Sequence, residues 1–222
     1  MKTIRRFVLV VAVLVISTLS ASASTIALDF VGTTQNRFLF DNTLGWSFTV
    51  NTPIAVDGLG FFDDFTPLDG LGLLQDHKVT LWTDTGTLLA QTTITNASTP
   101  KPTTAPDGRW LFNTIVPVTL LPGDYVIGAF NHASPAGCTL CDAFRLLDTA
   151  TENAAITFIS ARSFAGADQF PSNSDNVNDG YFGPNFTFTP AADPVPEPTS
   201  LLLLGTGTLL VVARLRSRRR KS

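Results

Sequence analysis

The chain has 222 residues, with 15 basic residues against 18 acidic ones and a net charge of −3. The charge is divided along its length: three basic residues lie in the first 23 positions, six lie in the last nine, and residues 24–213 hold six basic against eighteen acidic, a net of −12. A surface of that sign repels phosphate backbones and excludes nucleic acid as a partner. Acidity alone names no other partner, because it also keeps exported proteins soluble.

Lys2, Arg5 and Arg6 precede an apolar stretch at 7–19, and Ala21-Ser22-Ala23 follows it. A basic start, an apolar middle and a small-x-small end make a secretory signal peptide over 1–23, with cleavage expected after Ala23 and Ser24 as the mature N-terminus. Roughly 165 residues separate this segment from the C-terminal tail, enough for one domain with its own core. Asp outnumbers Glu sixteen to two, and Gly, Pro, Thr, Asn and Phe are plentiful. That mixture favours turns and strands over helices.

The spacing predicts strands at 26–31, 46–50, 54–62, 77–83, 88–95, 109–116, 124–130, 154–160 and 186–189. Asp84-Thr85-Gly86 separates two strand-like runs and signals a hairpin, since Gly takes positive φ. Leu121-Pro122-Gly123-Asp124 is a Pro-Gly turn leading into the run at 124–130. Short strands at this spacing predict an all-β fold, a single antiparallel β-sandwich or jelly-roll-like domain over 24–190. "WSFTVNTPIAV" (46–56) and "WLFNTIVPVTL" (110–120) echo one another, with Trp and Phe on one face and Pro expected to end each strand. They read as two equivalent edges of the sandwich.

"WSFTVNTPIAVDGLGFFDD", "GLLQDHKVTLWTDTGTLLAQTTI" and "GRWLFNTIVPVTLLPGDYVIGAF" then resemble, in order, an uncharacterised exported β-sandwich family of bacterial surface proteins. "DGYFGPNFTF" (179–188) resembles the closing strand of such domains. The resemblance implies the fold and carries no activity.

Two acidic loops suit a hard cation that takes six to eight oxygen ligands. Asp63, Asp64 and Asp69 lie on 61–70, with Asp76 close behind, and Asp175, Asn176, Asn178 and Asp179 lie on 173–183. One calcium ion per loop is one expectation; ordinary β-turns, which use the same residues, are the other. Cys138 and Cys141 are the two cysteines, and a disulfide is expected in an oxidising compartment. Zinc would need two further ligands, and the histidines are His77 and His132. No nucleophile elbow or recognisable Ser-His-Asp context appears, and Glu152 is the one Glu in the domain, so no enzyme is expected. Trp46, Trp82 and Trp110 could stack on sugar rings, but each sits in an alternating strand where core packing explains it.

After a Pro-rich spacer at 191–200 comes an apolar run at 201–213 and a basic tail at 214–222. Thirteen residues make a helix of about 20 Å, short for a hydrocarbon core of about 30 Å, and Gly205 and Gly207 weaken it. The basic tail holds the end in the cytoplasm. Pro196-Glu197-Pro198, then Thr199, the Leu-rich transmembrane segment and the Arg cluster, resemble the PEP-CTERM sorting signal of Gram-negative bacteria. The resemblance implies recognition and processing by exosortase, an integral-membrane cysteine peptidase, during passage through the inner membrane. Glu197 is then a recognition residue on a spacer that proline keeps extended. The expected function is that of a non-enzymatic exported protein of the cell surface or extracellular biofilm matrix, membrane-anchored if unprocessed. The alternatives are a calcium-assisted carbohydrate-binding module of the exopolysaccharide, and a secreted glycan hydrolase.

Overall fold

Trp46, Phe48 and Val50 alternate with Ser47 and Thr49, a period of two that sends three apolar side chains to one face. Patterns of this kind dominate the computed structural model, which describes residues 23–30, 35–36, 41–64, 72–132, 142, 144–145, 150–175 and 180–191. In chain order the strands begin with β1 (Thr25–Ile26), β2 (Leu28–Phe30), β3 (Gln35–Asn36), β4 (Asn42–Val50) and β5 (Ile54–Asp64). There follow β6 (His77–Thr83), β7 (Leu88–Ile94), β8 (Thr99–Lys101), β9 (Gly108–Leu120) and β10 (Gly123–Asn131). The last five are β11 (Phe144–Arg145), β12 (Ala150–Glu152), β13 (Ile156–Ala165), β14 (Asn173–Ser174) and β15 (Pro184–Pro190). No helix occurs among the described residues.

A five-stranded sheet runs β1-β15-β5-β9-β8 and a six-stranded sheet runs β14-β13-β4-β10-β6-β7, with ribbons β3–β11 and β2–β12 beside them. Every ladder is antiparallel, as the sandwich expectation requires. The sheets close over an aromatic layer. Trp46 of β4 stacks on Phe186 of β15 at 6.0 Å, Phe48 meets Phe186 at 4.9 Å, and Phe182 meets Trp46 edge-on at 5.8 Å. Leu59 and Phe61 of β5 and Ile127 of β10 are buried in the same cluster. Each such side chain contributes about 1.5–3 kcal/mol by leaving water. The Trp46 Nε1 donates to Pro184 O at 2.9 Å, so the ring enters the core without a stranded polar group.

The outer face of the five-stranded sheet is covered at one end. Asp29 of β2 accepts the Trp110 Nε1 at 3.0 Å and the Thr104 backbone N–H at 2.8 Å, and also the Thr103 hydroxyl. This clamp lays residues 103–104 beside Trp110, whose ring meets Phe62 edge-on at 5.1 Å.

Several sequence expectations change. The run at 26–31 divides at Ala27 into β1 and β2, which join different sheets. Pro117 does not end its strand: β9 continues to Leu120, because the missing N–H falls where pairing to β5 is already broken, beside Val116 at 86% exposure. The two echoed Trp strands are not sheet edges, since β4 lies between β13 and β10, and β9 between β5 and β8. The hairpin at Asp84-Thr85-Gly86 is observed, with Gly86 at φ +88° and its N–H donating to Thr83 O at 2.9 Å. The chain divides into two units, Met1–Pro190 and Ala191–Ser222. The expected signal peptide, apart from Ala23, and the transmembrane segment at 201–213 lie outside the described residues. Among the described residues no helix is long and apolar enough to cross a membrane.

Gly45 shows how tightly the six-stranded sheet is drawn together. A Cβ there would lie 1.9 Å from Ile127 O and 2.6 Å from the Gly128 Cα, both backbone atoms that cannot swing aside. Gly45→Ala is therefore expected to cost about 3 kcal/mol or more, at the severe end for overpacking. Urea unfolding measures it, and a loss below about 1 kcal/mol would show that β4 and β10 can separate there.

Candidate functional site

Along β5 the apolar positions run Ile54, Val56, then Leu59 and Phe61, so the period of two slips once. The slip is a bulge in two ladders at one place. Val56 pairs with Val118 and Gly58 with Thr114 on β9, while Val56 pairs with Phe188 and Gly58 with Thr187 on β15. Against β15 Asp57 is the extra residue, whereas against β9 it faces the three residues Ile115, Val116 and Pro117, and a bulge of this kind re-aims its side chain. The carboxylate accepts the Ser24 hydroxyl at 2.8 Å and the Thr187 hydroxyl at 2.6 Å through Oδ1.

Asp57 lines an open groove of about 560 Å³. Gly58 keeps its floor low, since a Cβ there would stand 2.6 Å from the Thr187 hydroxyl oxygen. Threonines and Asn113 make much of the lining, and the Asn113 amide is oriented by donating to Thr93 O at 2.8 Å. Lys101 completes it, with Nζ 5.7 Å from the centre of the Phe112 ring. Among the cations whose side chains are described, three have carboxylate neighbours: Lys78 with Asp168 at 3.0 Å, Arg109 with Asp63 at 2.8 Å, and Arg162 with Asp84 at 3.6 Å. Lys101 has none.

About 20 Å further along β5, at 3.3 Å per residue, lies a second polar group of another character. His77 is fully buried and stacks on Phe61, ring centres 3.7 Å apart and 9° from parallel. Its Nε2 is 2.8 Å from Asp142 Oδ2 and its Nδ1 is 3.2 Å from Phe130 O. Both contacts are hydrogen bonds only if both ring nitrogens carry hydrogen or Asp142 holds one. The same carboxylate accepts the backbone N–H groups of Leu74 and Gln75, and Gln75 donates to Asn131 at 2.7 Å. The His-Asp pairing resembles a catalytic orienting pair, but the second ring nitrogen faces a carbonyl, leaving no position for a nucleophile. Beside it, Asp63 is buried and accepts the Arg109 Nε at 2.8 Å through Oδ2, while Oδ1 has no hydrogen-bond partner. Burial pushes the Asp63 carboxyl above its usual value of 3.8, Arg109 pulls it down, and nearby Asp142 and Asp64 add to the rise.

The sequence-predicted positions distribute unevenly around these features. Asp63 and Asp64 are buried strand residues at the end of β5 rather than loop ligands, and Asp63 faces a guanidinium. Asp76 is exposed and Asp175 half-buried. Asp69, Asn176, Asn178 and Asp179 lie outside the described residues, as do Cys138, Cys141, Pro196, Glu197, Pro198 and Thr199. Among the described residues no group of three or more His, Cys, Asp or Glu side chains is placed to hold a metal ion. Trp46, Trp82 and Trp110 are all buried, which removes them as a sugar-stacking platform. His132 is exposed, its ring edge-on to Phe130. The sequence reading missed Asp57, Lys101 and Asn113. The slip from Val56 to Leu59 was the available signal for Asp57; no local pattern marks the other two.

Comparison with known proteins matches residues 35–182 to the family described as "Domain of unknown function (DUF4082)" and residues 194–220 to the "PEP-CTERM protein-sorting motif". No curated protein matches the chain.

Asp63 sets a pH dependence whose sign follows from its raised value. Below 3.8 the group is protonated in both states; as pH rises past 3.8 the unfolded chain releases its proton first, so stability falls until the native carboxyl ionises and is level above that. Asp63→Asn is expected to flatten this fall. Thermal melts of both proteins from about pH 3 to about pH 7 measure it, and parallel curves would assign the dependence to other groups.

Proposed function

The chain belongs to the DUF4082 family and carries a PEP-CTERM sorting motif, and from that premise we propose that it is a non-enzymatic protein of the bacterial cell surface or extracellular matrix. The motif makes it an exported protein sorted by exosortase. It is the observation that carries the proposal, because a sorting label is useful only to a domain that acts outside the inner membrane. The filled aromatic core and the capped His77 ring support a binding rather than a catalytic role.

A second reading, favoured by the Asp57 groove, is a carbohydrate-binding module of the exopolysaccharide. Hydroxyls, an amide, one acid and one base suit the many donors and acceptors of a glycan. In this form calcium is not needed at the groove, since Asp57 is its one carboxylate and already accepts two hydroxyls.

The first proposal is tested by the intact mass of the protein from wild-type cells and from cells lacking exosortase. A tail cut near residues 196–199 only when the peptidase is present is the expected result. An uncut C-terminus in both strains would make the segment a permanent anchor and remove the support for a matrix role.

A further inference from the structure

We infer that the Asp57 groove binds an acidic saccharide, a chain bearing uronate carboxylates, and that removal of the signal peptide completes the site. The inference rests on the carbohydrate-binding reading of the same groove and adds its ligand class and its maturation.

Charge gives the class. The span 24–213 has eighteen acidic residues against six basic ones, so an unpaired cation is unusual in it. Of the cations whose side chains are described, Lys78, Arg109 and Arg162 have carboxylate neighbours, yet Lys101 lies in the groove with no ion pair among the described residues. A neutral glycan would cover that ammonium and leave it unpaired, at a cost in desolvation. A uronate carboxylate would instead take a charge-assisted hydrogen bond from it. The threonines and Asn113 remain for the sugar hydroxyls.

Maturation supplies the second cation. The Ser24 hydroxyl already touches Asp57 at 2.8 Å, and Ser24 is the residue expected to follow the cleavage site. A serine nitrogen lies roughly 3 Å from its own Oγ by covalent geometry. Cleavage after Ala23 therefore creates an α-ammonium no more than about 6 Å from Asp57 Oδ1, near enough for the two charges to attract. In the precursor that nitrogen is an uncharged peptide N–H, and the groove holds one acid and one base. In the mature protein it holds one acid and two bases, a local positive site on a span (24–190) whose side chains carry sixteen acids against six bases. The pairing of β1 with β15, Thr25 opposite Phe188, keeps the new terminus beside the groove.

The test uses the processed protein recovered from export, its N-terminus checked by mass, in affinity electrophoresis through polygalacturonate and, as the neutral control, dextran. Retardation by polygalacturonate alone is expected. Lys101→Gln should weaken it about tenfold, the scale of one lost contact to a charged group. Acetylation confined to the Ser24 amine should weaken it about threefold, with melting temperatures of both altered proteins close to wild type. Equal retardation by dextran, or an unchanged Lys101→Gln, would overturn the acidic class while leaving a glycan site standing. No retardation by either polymer would overturn the groove as a saccharide site, with the exosortase result unaffected. A different mature terminus, or indifference to acetylation, would overturn the maturation step.

Discussion

The domain depends on the closure of two sheets over one aromatic layer. Trp46, Phe48, Phe182 and Phe186 occupy the space between β4 and β15, and the polar edge of the tryptophan is answered by Pro184 O. With that layer filled, inner-face positions have no freedom, and variation is confined to the outer faces and the strand ends. The bulge in β5 fits this constraint. Pairing lapses at Asp57 but holds on both sides, from Ile54 to Val56 and from Gly58 to Asp64, so the disruption is spanned by regular ladder. An irregularity in the middle of a central strand is tolerated because its neighbours fix it in place.

One strand thus carries two polar sites of opposite kind. At Asp57 the carboxylate is half-buried beside hydroxyls and open space. Near Asp63 the polar groups are sealed by Phe61 and Phe144, where an unanswered oxygen is costly and every hydrogen bond counts for more. The His77–Asp142 contact ties residues 65 apart in sequence, and Asp142 also holds the backbone at Leu74 and Gln75. That end holds segments together, whereas the groove end is left open.

Much of the fold was legible because strands with one buried face write it into the sequence as alternation. β5, β6 and β10 follow the expected runs closely, β4 starts four residues before its expected run, and the Asp-Thr-Gly hairpin formed where Gly allowed it. The two- and three-residue strands were not legible, since alternation has no meaning over so short a span. Asp63 and Asp64 end a strand although aspartate normally marks a turn, and the partner that answers Asp63 there, Arg109, is 46 positions away. The groove was hidden for a similar reason: Ser24, Asp57, Lys101 and Asn113 come from four distant stretches that meet only after the sheet is assembled. The sorting tag, by contrast, is contiguous and meant to be read in line, and it was the most legible part of the chain.

The pairing of the first and last strands has a mechanical consequence. β1 and β15 are antiparallel neighbours, with Thr25 opposite Phe188 and Ile26 opposite Thr187, so the two ends of the domain leave from the same end of that ladder. A pull between these ends would peel β1 away one residue pair at a time, the weak direction for a sheet. A pull on the C-terminal end alone, resisted by the body of the domain, would instead load β15 along its length against β5, where paired positions run from Pro184 to Pro190 and must yield together. A load that enters through β15 alone is therefore borne in shear, and the two-residue strand that carries the N-terminal end is spared.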